Sequence, residues 1–128
     1  MQFGYVIIYV ADIEKTVAFY ERAFGLKRRF VHESGAYAEL ETGATALAFV
    51  SESMLSTTGH HFRPNRQEDT PAGAEIAFVV EDVPGAFEHA VAAGALPHAE
   101  PEQKPWGQTV SYVRDNNGFL VELCSKIS

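Results

Sequence analysis

Apolar residues along this chain switch repeatedly between a strand-like and a helix-like period. Gln2–Val10 is apolar on both parities, with Val6, Ile8 and Val10 on one face and Tyr5, Ile7 and Tyr9 on the other, which predicts a strand covered on both sides. Asp12 stands where an N-cap belongs, Ile13, Val17, Tyr20 and Phe24 recur at helical spacing, and Gly25 is placed to stop the helix. Arg28–His32, Ala36–Glu41 and Thr45–Val50 then read as strands, separated by turns at Glu33-Ser34-Gly35 and Thr42-Gly43. The first half is therefore βαβββ. Ser51–Gly73 breaks the rhythm with polar residues, Pro and Gly, and predicts a long connecting loop, a length more usual for linkers and binding loops than for compact connections.

The same order then returns. Glu75–Val80 predicts a strand, Asp82 a cap, and Pro84 is tolerated in a first helical turn. Val83, Phe87 and Val91 give the next helix its apolar face, and Gly94 ends it. Shifted by seventy positions, Tyr5–Leu26 lies over Glu75–Leu96, with Asp12 on Asp82. Pro105-Trp106-Gly107 marks a bend, Thr109–Val113 a strand, Asp115-Asn116-Asn117-Gly118 a tight turn, and Phe119–Cys124 a last strand. The fold class predicted is α+β, two tandem βαβββ modules over residues 1–52 and 74–128 of a single 128-residue domain, joined by the loop 53–73.

Composition and the ends of the pattern change this picture at four points. An apolar fraction of 46% with 12% aromatics belongs to a globular chain, and no apolar run approaches the ~20 residues that span a bilayer, so no membrane role is expected. The start, MQFGYVIIYVAD, has no basic region and reads directly as a strand rather than a signal peptide. One cysteine, Cys124, permits no intrachain disulfide and suits a reducing cytoplasm. A net charge of −7 argues against nucleic acid and would favour a cationic ligand.

Glu122 is the anomaly in the pattern. It is the one charged residue in the otherwise apolar run Phe119–Cys124, and a carboxylate in such a strand needs a cation, a metal, a donor or water. Trp106 sits in a Pro/Gly bend, where a large indole is open either to packing or to stacking on a flat ligand. His60-His61 are adjacent in a loop and so poorly placed to converge on one ion; Arg63 and Arg66 could clamp an anion or simply be solvated. His32, His89 and His98 show no ligand spacing, and nothing marks Cys124 as a nucleophile. No phosphate-cradling Gly loop or nucleophile elbow is present.

Tyr5–Asp12 followed by Val17-Ala18-Phe19-Tyr20 and Gly25-Leu26, then Glu75–Asp82, then Asp115–Leu123, together resemble the vicinal oxygen chelate superfamily of glyoxalases, bleomycin-resistance proteins, fosfomycin-resistance enzymes and extradiol dioxygenases. The resemblance covers nearly the whole chain. It implies a cupped, eight-stranded mixed sheet, a homodimer, and four ligand positions on the first and last strand of each module. Those positions fall here on Tyr5, Ala48, Glu75 and Glu122, of which only Glu122 matches a metal ligand of the family. Histidines are missing at Tyr5 and Glu75, so no tightly bound zinc or iron is expected; two carboxylates and a phenol leave room for a hard divalent ion, Mg²⁺ or Mn²⁺, held by Glu75 and Glu122.

Strand parity places Tyr5, Glu75 and Glu122 on inward faces. The two carboxylates could bind such an ion, share a proton, attract a cation, or be structural. Three functions remain open on these residues. One is a non-catalytic protein resembling the bleomycin-resistance branch, binding a small, cationic and partly aromatic molecule through Tyr5, Tyr9, Glu75, Trp106 and Glu122. A second is a metal-dependent lyase, isomerase or dioxygenase with Glu122 as its catalytic residue. The third is a structural domain with a vestigial pocket.

Overall fold

The computed structural model describes residues 1–127, in two compact units, Met1–Asn65 and Arg66–Ser128. The first contains β1 (Tyr5–Val10), α1 (Ile13–Phe24), β2 (Arg28–Val31), β3 (Tyr37–Leu40), β4 (Ala46–Ser51) and α2 (Glu52–Thr57). The second contains β5 (Glu75–Val79), α3 (Val83–Ala92), β6 (Leu96–Gln103), β7 (Thr109–Arg114) and β8 (Leu120–Cys124). Each unit builds one four-stranded mixed sheet with the same connectivity, in the orders β1-β4-β3-β2 and β5-β8-β7-β6. The first and last strand of each unit run parallel, and the other pairings are antiparallel. The predicted duplication of βαβββ modules is thus the architecture found.

Both major helices start as their caps require. The Asp12 carboxylate accepts from the Lys15 amide at 2.9 Å and Asp82 from the Gly85 amide at 3.0 Å, each satisfying one of the donors a helix start leaves open. At Gly25 the chain turns with φ of 67°, and its amide closes on the Glu21 carbonyl. Helix α1 buries Ile13, Val17, Phe19 and Tyr20 against its sheet, with the Tyr20 and Phe49 rings 5.0 Å apart. Helix α3 buries Val83, Phe87 and Ala90 in its own unit, where Val113, Val121 and Leu123 are core residues. Full burial of side chains this size stabilises by about 1.5–3 kcal/mol each, so the helices are held chiefly by these faces.

Three features depart from the sequence expectation. Strand β1 is covered on one face only: Ile8 and Val10 are buried, whereas Tyr5 and Ile7 are exposed. The segment 53–73 is not all loop, because Ser51 caps the short helix α2 by accepting from the Met54 amide. That helix buries no residue, so it carries no apolar periodicity to read. Strand β6 had no sequence signal either. It contains Pro97 and Pro101, and it lies at the sheet edge with register shifts on either side of Ala99, which is where prolines can join a sheet. Among the described residues no helix is long and apolar enough to cross a membrane.

Candidate functional site

In the second sheet the face opposite α3 carries an acidic and aromatic cluster. Register fixes its members: Ala77, Glu122 and Tyr112 form one rung across β5, β8 and β7, and Glu75 lies on the same face, two residues before Ala77. The Tyr112 hydroxyl donates to Glu122 Oε1 at 2.9 Å, and the Glu75 and Glu122 carboxyls lie near enough to perturb each other's titration. Two residues along β8, the buried Cys124 thiol donates to the Phe78 carbonyl at 3.8 Å.

These neighbours split the two carboxyls. Burial, then the bond to Glu122 and its charge, push Glu75 above the ordinary carboxyl range. Burial acts on Glu122 in the same direction, but bonds from Cys124, Glu75 and Tyr112 outweigh it and hold Glu122 below that range. The two carboxyls are thereby pushed in opposite directions, Glu75 toward holding its proton and Glu122 toward its charge. The same contacts keep the other two groups neutral, with Tyr112 pushed up to about 12 and Cys124 to about 11, each mainly by burial and then by Glu122. A charged, deprotonated Cys124 is thereby disfavoured, in line with a thiol that is not a nucleophile.

A second line of contacts leads away from Glu122 toward the bend at residue 106. Trp106 is 55% exposed, and its indole Nε1–H donates to Gln108 Oε1 at 2.8 Å. Gln108 Nε2 donates in turn to the Ser125 carbonyl at 3.0 Å and interacts with Cys124. Sequence reading passed over Gln108, whereas His98, read as having no ligand spacing, stands edge-on to Tyr112 with ring centroids 6.4 Å apart.

The first unit answers its buried acid differently. Its equivalent rung is Ile7, Ala48 and Glu39, so alanine stands where the second sheet has Glu122, and the acid has moved one strand over to β3. Glu39 is 8% exposed and accepts from the Tyr37 hydroxyl at 2.7 Å and from Arg29 at 3.1 Å. Burial and Glu39 together raise Tyr37 well above the usual phenol range. Tyr5 lines a cleft of about 320 Å³ with Arg29, Gln2, Gly4, Ala44 and Ala46. Tyr9 packs edge-on against Phe62 at 4.9 Å, and its carbonyl accepts from Asn65. Tyr5 and Tyr9 belong to this unit, and Glu75, Trp106 and Glu122 to the other.

The remaining candidates do not gather into a site. His60 and His61 are exposed, with His60 Nδ1 beside the Thr58 hydroxyl at 3.3 Å, and Arg63 is exposed. The Arg66 carbonyl, with those of Gln67, Asp69 and Gly118, receives the Arg114 guanidinium. A metal fits this donor set poorly. Among the described residues no group of three or more His, Cys, Asp or Glu side chains could hold an ion, and the pair Glu75–Glu122 offers only hard carboxylate donors.

The glyoxalase/bleomycin resistance protein/dioxygenase superfamily model matches residues 2–123. A protein of Bacillus subtilis strain 168, YraH, is 24% identical over 115 residues, covering 89% of this chain and 90% of its own. Among solved structures, a glyoxalase-related enzyme from Fulvimarina pelagi superposes with a TM-score of 0.83 at 22% identity, over 98% of this chain and 88% of that one. TioX from Micromonospora sp. ML1 superposes with a TM-score of 0.71 at 24% identity, over 98% of both chains. With the duplicated βαβββ sheets and a family match over nearly its whole length, the chain belongs to the glyoxalase/bleomycin resistance protein/dioxygenase superfamily.

Proposed function

We propose that this protein is a small-molecule binder of its superfamily, taking a cationic, partly aromatic ligand at Glu75, Glu122, Tyr112 and Trp106. One contrast carries the reading. The buried acid of the first unit, Glu39, has its cation built in as Arg29, whereas neither Glu75 nor Glu122 forms an ion pair among the described residues. Acids gathered on a sheet face without a counter-charge favour a cation brought by a ligand. Tyr112 and Trp106 add aromatic surfaces suited to a cation or a flat ring.

Calorimetric titration with benzamidine tests this. Wild type should bind. Glu122→Gln keeps the shape and removes the charge, and should weaken binding about tenfold or more, the equivalent of ~1.4 kcal/mol. Equal affinity in Glu122→Gln would refute the carboxylate role. The alternative reading is a metal-dependent lyase, isomerase or dioxygenase with Glu122 catalytic. Metal analysis of protein purified without chelators separates the two: stoichiometric metal released by Glu122→Ala would favour that enzyme.

A further inference from the structure

We infer that Ala77 sets the size limit of this site: it leaves a notch in β5 through which the cationic end of a flat ligand reaches Glu122. The notch deepens, and rests on, the ligand site proposed for that face. Strand β5 is at the edge of its sheet, beside β8, and the register partner of Ala77 on β8 is Glu122. Tyr112 stands on the far side of Glu122 in the same rung, with its hydroxyl on Oε1. The carboxylate is thus flanked by a phenol toward the sheet interior and by one methyl group toward the sheet edge. Glu75 and Val79 lie two residues to either side of Ala77 on the same face, about 6.8 Å away along the strand. Both are larger than alanine, and all three positions are exposed, so Ala77 is a gap between two projecting side chains. The charge behind the gap is retained, because the contacts of Glu122 hold it below the ordinary carboxyl range.

The duplicated unit shows what the same position holds where no acid stands beside it. Seventy residues earlier the rung is Ile7, Ala48 and Glu39, so a bulky residue on the edge strand neighbours an alanine. In the second sheet the sizes are exchanged, and the small residue neighbours Glu122. Ile7 is 47% exposed, so this edge position accepts a large side chain without having to bury it. Packing does not explain the alanine either. Ala77 is exposed, and exposed strand positions favour β-branched residues such as isoleucine over alanine. A residue that goes against local preference with no packing reason is expected where function needs the space. An isoleucine at 77, one strand away from Glu122, would fill that space and screen the carboxylate from a ligand.

Calorimetric titration with benzamidine of wild type, Ala77→Ser and Ala77→Ile, with thermal unfolding of all three, tests the notch. Ala77→Ser hardly changes the size of the side chain and should bind within about twofold of wild type. Ala77→Ile should bind at least about tenfold more weakly. Its melting temperature should equal or exceed that of wild type, because isoleucine suits an exposed strand better than alanine does. Weaker binding together with undiminished stability is a combination that a merely structural alanine would not give. Equal affinity of Ala77→Ile and wild type would overturn the notch and leave the proposed ligand site standing. An equal loss in Ala77→Ser and Ala77→Ile would overturn the role of size, and a lower melting temperature in Ala77→Ile would show a packed position instead of an open one. Failure of wild type to bind would overturn the ligand site itself, and the notch with it.

Discussion

Tyr112 and Glu75 decide how Glu122 is held, and each makes a distinct prediction. Tyr112→Phe removes the hydroxyl that bonds to Glu122 and leaves the ring, so stability at neutral pH should fall by about 1 kcal/mol in denaturant titration. Glu75 is raised above the ordinary carboxyl value, so its favourable contribution is complete below that value and is lost as pH rises through the folded one. Glu122 is lowered, so its contribution is present above the ordinary value and is lost as pH falls through the folded one. Glu75→Gln imitates the protonated partner. Its melting temperature should exceed wild type at pH 8, and the gap should close toward pH 4. An unchanged difference across that range would contradict the raised titration of Glu75. Glu122 was legible in the sequence because one charge interrupted an apolar strand. The bonds around it were not, because only strand register and side-chain placement show that Tyr112 donates to Glu122 and Gln108 to the Ser125 carbonyl. Glu39 escaped for the same reason: Glu39 and Glu41 both end an ordinary strand run, and only burial separates them.

At the scale of elements, the Asp115–Gly118 turn does more than join β7 to β8. Asp115 Oδ1 accepts from the amides of Asn117 at 2.8 Å and Phe119 at 2.9 Å, and Gly118 turns with φ of 88°. A Cβ at Gly118 would collide with the Arg66 carbonyl and with Arg114. Arg114 meanwhile gathers the carbonyls of Arg66, Gln67, Asp69 and Gly118, and Gln67 Nε2 donates to the Asn116 carbonyl. The turn is therefore a clasp for residues 66–69. Gly118→Ala should cost about 1–3 kcal/mol by thermal or chemical unfolding, from strained backbone and the displaced clasp together. A change below a few tenths would contradict it. The turn itself was plain from Asp-Asn-Asn-Gly, as were the helix caps at Asp12 and Asp82. The clasp was not, since it depends on a segment fifty residues away. Helix α2 and strand β6 were hidden for local reasons: one buries nothing, and the other carries two prolines that only an edge position allows.

For the whole molecule, the duplication was the legible part, because caps, stops and strand patterns recur in order. Assembly is a further expectation. Each sheet has two edge strands, β1 and β2 in one and β5 and β6 in the other, and β1 exposes Tyr5 and Ile7. Edges and apolar faces of this kind are commonly covered by association, so light scattering at micromolar concentration should give the mass of a homodimer, and a monomer mass would count against it. On the proposed function, ligand choice at the face opposite α3 follows charge rather than shape, and two ligands of matched shape test this. Benzamidine and benzamide have the same ring and nearly the same outline, but only the first is a cation at neutral pH. Calorimetric titration of the wild-type protein with both should show benzamidine binding at least about tenfold more tightly, a difference of ~1.4 kcal/mol drawn from the Glu75–Glu122 pair. Equal affinities, or tighter binding of benzamide, would contradict the account.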